Sequence, residues 1–167
     1  ATVIPHGVNR GFRRLSAKSQ TDARVPDRPF LLYLGGRETS NPNYKYKNFN
    51  TLLKGYSRWE HRDDIDLLVI GKPWSSDERT YLEDLGVANS VSQKLAIDDR
   101  LLCALYNKAV SMVYPSFYEG FGIPIAEAMS CGCPVVASQI PTSVEVGGSV
   151  PFYFDPSDLE SLTDALN

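Results

Sequence analysis

The 167-residue sequence holds only two histidines, His6 and His61, and three cysteines, Cys103, Cys131 and Cys133. An odd cysteine count excludes a fully paired disulfide framework and fits a reducing compartment. Cys131-Gly-Cys133 has no second cysteine pair and no histidine at ligand spacing, so it reads as small apolar residues at a helix end, and no metal centre is expected. No apolar run approaches the roughly 20 residues of a membrane helix. Nor is there an excess of charge of either sign: 17 Lys and Arg stand against 20 Asp and Glu, a net charge of −3, which gives no overall attraction for nucleic acid or an anionic surface. The one local departure is Arg10, Arg13, Arg14, Lys18, Arg24 and Arg28 against Asp22 and Asp27, read as a solvated connecting segment. Repeats and low-complexity stretches are absent. The start, Ala-Thr-Val-Ile-Pro, has neither a signal-peptide pattern nor an initiator Met, and the chain is expected to be a piece of a longer protein.

What is present is an ordinary globular composition, 43% apolar and 22% charged, at a length suited to one domain. Residues 30–35 and 65–70 are near-continuous apolar runs bounded by glycine, the pattern of strands covered on both faces. Residues 111–114, 134–137 and 151–154 repeat it more briefly, and 90–95 more weakly. Helices fall between them. Phe49, Leu52, Leu53 and Tyr56 mark one helical face; Leu101, Leu102, Leu105 and Ala109 mark another, capped by Asp98 or Asp99. Ser157-x-x-Glu160 reads as a capping box before the last helix. Such alternation predicts right-handed crossovers and an α/β, Rossmann-like open parallel sheet of about six strands with helices on both faces. Residues 1–28 read as a lead-in segment and 29–167 as the domain. Ligands of such sheets bind beyond the carboxyl ends of the strands, where Arg37, Gly71 and Glu119 fall. The polar stretch 38–47 is long for its place and is expected to be a mobile loop facing a ligand.

The run 114–129, Tyr-Pro-Ser-Phe-Tyr-Glu-Gly-Phe-Gly-Ile-Pro-Ile-Ala-Glu-Ala-Met, carries the most information. It leaves a strand, turns on glycines and starts a helix. Gly120 and Gly122 let backbone approach a ligand closely, Pro124 suits the first helical position, and a helix start favours a phosphate. Glu119 and Glu127, the latter expected on the helix's first turn, would repel that phosphate unless they accept hydrogen bonds from ligand hydroxyls. A sugar joined to a nucleotide offers both parts.

Glu119 and Glu127, with Gly-Phe-Gly between them and Ala-Met-Ser-Cys-Gly-Cys-Pro-Val-Val-Ala-Ser after, resemble the Glu-x7-Glu signature of retaining glycosyltransferases of the GT-B fold, in particular family 4. The resemblance implies one half of a GT-B fold: the C-terminal domain that binds a nucleotide-sugar donor, expected to be UDP-linked, for transfer of a hexose to a glycan or lipid-linked acceptor held mainly by a missing N-terminal domain. It implies that Glu119 faces the donor sugar, that Glu127 accepts from the ribose diol, and that Gly120, Phe121, Gly122 and Ile123 offer backbone N–H groups to sugar and phosphate oxygens. Gly36-Arg37 and Lys47-Asn48 stand where the family contacts the pyrophosphate, with Lys45 as rival to Lys47, and Arg37 and Lys47 would stabilise the leaving diphosphate. The nucleobase is placed near Lys94 and Leu95, where the family has Gly instead of Leu95. Residues 3–9, Val-Ile-Pro-His-Gly-Val-Asn, resemble the interdomain linker, which gives His6 a hinge role. Glu145 reads as structural and His61 as exposed. No metal cofactor and no nucleic acid partner are implied; the parent enzyme is expected in the cytoplasm, peripheral to the inner face of a membrane, in polysaccharide biosynthesis. The fragment alone is expected to be inactive. The alternatives are a sugar-nucleotide epimerase of the same architecture and a regulatory domain that kept the fold.

Overall fold

The computed structural model describes residues 7–16, 22–37 and 42–167. Six strands, β1 (Phe30–Leu34), β2 (Asp66–Ile70), β3 (Val91–Lys94), β4 (Ser111–Tyr114), β5 (Val135–Ser138) and β6 (Phe152–Phe154), form one sheet in the order β3-β2-β1-β4-β5-β6. Every pairing is parallel. Among the described residues six α-helices connect or follow the strands: α1 (Phe49–Arg58), α2 (Ser76–Asp84), α3 (Asp99–Lys108), α4 (Ile123–Ser130), α5 (Pro141–Gly147) and α6 (Leu159–Leu166). The expected α/β class and strand number are what the structure has.

Alternation along the strands sends side chains into two cores. Phe30 and Leu32 of β1, Leu68 of β2, Met112 and Tyr114 of β4, and Val135 and Ala137 of β5 face one side, against Leu101, Leu105 and Tyr106 of α3 and Ile125 and Ala128 of α4. Leu31, Tyr33, Leu67, Val69, Val113 and Val136 face the other, against Phe49, Leu52, Leu53 and Tyr56 of α1, Leu82 of α2 and Leu162 of α6. Both sets are buried, which is why these strands read as unbroken apolar runs rather than as alternating ones. Each fully buried large aliphatic contributes about 1.5–3 kcal/mol.

Of the two aspartates offered for α3 one is the cap, and two other helix starts differ from expectation by one residue. Asp98 is the cap of α3, its carboxylate accepting from the Leu101 N–H. The last helix is capped by Asp158, which accepts from Glu160 and Ser161 N–H, and not by Ser157; an aspartate one position on offers the stronger acceptor. In α4, Pro124 is the second helical residue rather than the first. Glu127 is therefore the fifth, in the second turn and not in the first.

The lead-in segment is less solvated than its composition predicts. Phe12 and Val25 are buried in the α3–α4 core. Leu15 N–H donates to Asn107 Oδ1 at 2.8 Å, and Asn107 Nδ2 donates to the Arg13 carbonyl at 3.0 Å. Arg10, Arg13 and Arg14 stay exposed around these anchors. His6 and Lys18 lie outside the described residues.

Candidate functional site: the crevice between β1 and β4

The chain steps outward from β1 through β2 to β3, then returns to place β4 on the other side of β1. At that reversal the loops leaving β1 and β4 part in opposite directions and open a crevice above the carboxyl ends of the strands. Within the stretch expected to be a mobile, ligand-facing loop, residues 38–41 lie outside the described residues and Pro42–Lys47 is a short 3-10 helix. Its end is tied to the β4 loop across the crevice, with Phe117 N–H donating to the Tyr46 carbonyl at 2.7 Å. Asn48 then caps α1 in the left-handed region, φ 56°, a conformation asparagine tolerates better than most residues, and its Nδ2 donates to the Pro156 carbonyl at 2.9 Å.

Lys47 and Glu119 meet here. Lys47 Nζ donates to Glu119 Oε1 at 2.7 Å, with the side chains 16% and 11% exposed. The ammonium also lies 5.2 Å from the Tyr46 ring and 5.7 Å from the Tyr114 ring, within reach of cation–π attraction. Burial, then the charge and hydrogen bond of Glu119, push the Tyr114 phenol far above its ordinary value, so it stays neutral beside the carboxylate. Of the two rival lysines, Lys47 is at the crevice and Lys45 is exposed on the 3-10 helix.

Past Glu119 the chain turns through exposed Gly120 and half-buried Phe121 to Gly122, the cap of α4. Gly122 has φ 92° and only Ile125 Cδ1, 3.6 Å away, near the place a Cβ would take. Backbone conformation, not space, is what calls for glycine there. The first N–H groups of a helix have no acceptor within it and carry the positive end of its dipole, so α4 begins as an anion-favouring surface next to the Lys47–Glu119 pair. Ile123, Phe117 and Tyr118 are exposed around it. One turn into α4, Glu127 is half-buried and accepts a hydrogen bond from the Tyr106 hydroxyl at 3.2 Å. Burial raises its carboxyl above the usual range, Tyr106 opposes that, and Asp99 adds to it.

Arg37, the residue expected at the diphosphate, is engaged by protein groups. It is 2% exposed, and its guanidinium lies 4.4 Å from the Trp74 ring. Nε donates to Glu78 Oε1 at 2.6 Å; Nη2 donates to the Lys72 and Pro73 carbonyls at 2.8 and 3.1 Å and to Glu78 Oε2 at 3.2 Å. A Cβ on Gly71 would come within 2.6 Å of Arg37 Nη1, so any side chain there would have to push the guanidinium aside. Glu78 in turn forms the capping box of α2, accepting from Ser75 N–H at 2.8 Å. The guanidinium thus fastens the β2–α2 loop to the β1 loop. Gly36 has a related duty: the Tyr44 ring sits where its Cβ would be, with Cγ 2.3 Å from that position.

The remaining candidates are spread out. Lys94 ends the edge strand β3, its carbonyl taken by Gly71 N–H at 3.2 Å, and Leu95 beyond it is 46% exposed. Glu145 is exposed on α5, and His61 is exposed in its turn beside Glu60. Cys103, Cys131 and Cys133 are free and buried; burial pushes the Cys133 thiol up to about 12. Among the described residues no group of three or more His, Cys, Asp or Glu is placed to hold a metal ion, and no helix is long and apolar enough to cross a membrane. An open hollow of about 790 Å³ lies at the opposite, amino end of the sheet, lined by Asp22, Val25, Arg28, Phe30, Lys108 and Val110 among others. It is remote from the Lys47–Glu119 pair at the switch point.

Sheet order and crevice define a doubly wound, Rossmann-like α/β domain with a polar site at its switch point. The chain belongs to the family Glycosyl transferases group 1, whose profile matches residues 23–167. It is 38% identical over 138 residues to O-antigen chain mannosyltransferase B of Escherichia coli, covering 80% of this chain and 35% of that protein. It is 30% identical over 124 residues to O-antigen chain mannosyltransferase RfbU of Salmonella typhimurium, covering 74% and 35%. The chain therefore spans about a third of the length of these relatives. Among solved structures, WaaG, a glycosyltransferase involved in lipopolysaccharide biosynthesis, superimposes with a TM-score of 0.80 over 99% of this chain and 46% of that one at 18% identity, a likeness of fold.

Proposed function

We propose that this chain is the donor-binding domain of a retaining glycosyltransferase that moves a hexose, mannose by analogy with its relatives, from a nucleoside diphosphate to a glycan or lipid-linked acceptor. The observation that carries the reading is the Lys47–Glu119 pair set against the Gly122-capped start of α4 at the switch point. Lys47 has a single positive charge and two ways to spend it. It rests on Glu119; when a diphosphate binds, it turns to the phosphates beside the helix start, and Glu119 is released toward the hydroxyls of the donor sugar. Negative charge that develops on the leaving diphosphate then meets an ammonium and backbone dipoles already in place. No metal is given a part, since these groups answer the charge. Glu127 takes the ribose diol. Arg37 acts through the frame: held by Glu78, it shapes the β1 and β2 loops that floor the nucleotide crevice. The acceptor and its binding belong to the part of the enzyme beyond this chain, so the chain alone binds donor without transferring sugar. The exposed Phe117, Tyr118 and Ile123 form the rim that this other part would face. The base is taken to be uracil, and the parent enzyme to work in the cytoplasm against the inner face of a membrane.

Calorimetry of the chain against UDP, GDP and ADP tests the reading, followed by hexose-bearing forms of whichever nucleotide binds. Glu127→Ala should weaken the bare nucleotide, and Glu119→Ala should chiefly weaken the sugar-bearing form. Equal effects of both changes on both ligands would refute the division of roles, and tighter binding of GDP than UDP would replace the base.

A further inference from the structure

We infer that Tyr106 is a positioning residue for the nucleotide site, setting the Glu127 carboxylate so that its remaining lone pairs meet the two hydroxyls of a ribose. The inference rests on the reading of Glu127 given above and adds to it a residue on a different helix.

Tyr106 is on α3 and is wholly buried, with its ring edge-on to Phe12 at a centroid distance of 6.0 Å. The ring is clamped in the α3–α4 core, so its hydroxyl cannot travel far. A buried phenol needs a partner for its O–H, and the partner is Glu127 Oε2 at 3.2 Å. The phenol stays neutral and able to donate, because burial and the adjacent charge of Glu127 push it far above its ordinary value. One hydrogen bond occupies one of about four acceptor positions on a carboxylate, which leaves enough for a vicinal diol. It also removes the freedom that costs a flexible glutamate its affinity: without Tyr106, Glu127 would have to be ordered by the ligand itself.

A role confined to satisfying Tyr106 does not account for the choice of partner. Burial holds the Glu127 carboxyl up, so the single bond from Tyr106 does not repay its desolvation. A neutral acceptor would satisfy the phenol at lower cost. A negative acceptor kept half-buried beside the start-of-helix anion surface fits a ligand that brings its own hydroxyl donors. The contact also joins the lead-in segment to the site in two steps, Phe12 to Tyr106 to Glu127.

The test compares each nucleoside diphosphate, UDP and GDP, with its 2′,3′-dideoxy form on the intact chain by calorimetry. The wild-type chain should prefer the ribose form by about tenfold or more, the worth of hydrogen bonds to a charged acceptor. Tyr106→Phe should shrink that preference by about three- to tenfold, leaving the affinity for the dideoxy form unchanged. In a Glu127→Ala background, where the preference is already gone, Tyr106→Phe should do nothing further to it. Equal weakening of ribose and dideoxy forms by Tyr106→Phe, or a lower melting temperature with the preference intact, overturns the positioning role and leaves the donor reading standing. A wild-type chain that binds neither nucleotide, or binds both forms equally, overturns the reading of Glu127 and the inference with it.

Discussion

Removal of Glu78 probes how the crevice is held open. The Arg37 and Glu78 side chains are 1% and 3% exposed, with Nε and Oε1 2.6 Å apart. Glu78→Ala leaves a buried guanidinium without its anion, and removal of one partner of a buried pair costs about 3–5 kcal/mol. The same change deletes the capping-box acceptor for Ser75 N–H, about 1 kcal/mol more. In a chain of this length 1 kcal/mol moves the melting temperature by about 2–4 °C, so the pair alone accounts for a fall of about 6–20 °C. Urea titrations and thermal melts of Glu78→Ala are joined by those of Glu78→Met, Arg37→Met and the double Met variant, which close the cycle. The double variant should recover most of the loss, because two apolar side chains of similar volume carry no uncompensated charge. Low pH should act in the same direction as the substitution. Burial raises the Glu78 carboxyl, but the Arg37 hydrogen bond, the Ser75 N–H and the Arg37 charge outweigh burial and hold it below the ordinary value of 4.5. A carboxyl depressed on folding contributes stability above its unfolded value, and that contribution is lost as pH falls through the folded one. Unfolding midpoints of Glu78→Ala and the parent chain should thus converge as pH falls through the depressed value of the folded Glu78 carboxyl. A single-variant loss under about 1 kcal/mol, or single losses that simply add in the double variant, would show that Arg37 is not held as described.

Strands were readable because their cause is local and repeated. Each of β1, β2, β4 and β5 is a run whose residues are buried on both faces, and burial on both faces writes itself as consecutive apolar letters. Gly122 was readable for the same reason, since a left-handed cap before a helix selects its residue type on the spot. Partnerships were not. Arg37 finds Glu78 41 positions away and Lys47 finds Glu119 72 away; no spacing rule joins them, and only the sheet order brings them together. The run Ser-Asp-Glu-Arg-Thr-Tyr-Leu-Glu-Asp of α2 looks like a solvated helix, yet its Glu78 is buried. The one available signal was Ser75-x-x-Glu78, which marks a helix start and says nothing of an arginine reaching the same carboxylate. Tyr106 was hidden because an aromatic on the inner face of α3 reads as core; its hydroxyl acquires a purpose only when α4 sets Glu127 beside it. Charge type marked Arg37, Lys45 and Lys47 alike, but tertiary packing decided that Arg37 is buried on Glu78, Lys47 half-buried on Glu119 and Lys45 exposed.

Three further changes bear on the site and its supports. Gly122→Ala forces a Cβ into the left-handed region and should cost about 1–2 kcal/mol, seen in urea unfolding, while weakening nucleotide binding by misaiming the start of α4; an unchanged midpoint would refute the backbone argument. Asp158→Ala should remove the α6 cap and about 1 kcal/mol, whereas Ser157→Ala should leave melting nearly unaltered; the reverse order would restore the cap to Ser157. The last concerns the Lys47–Glu119 pair. If Lys47 must leave Glu119 to reach a diphosphate, the pair opposes nucleotide binding. Glu119→Gln keeps the shape but removes the competing charge, so UDP should bind as well as before or more tightly, while the hexose-bearing form loses affinity. Lys47→Ala should weaken both ligands by about tenfold or more, since a charge-assisted contact to phosphate is lost in each. Calorimetry on the three chains decides: if Glu119→Gln weakens UDP as much as Lys47→Ala does, the carboxylate helps to hold the nucleotide and does not compete for the lysine.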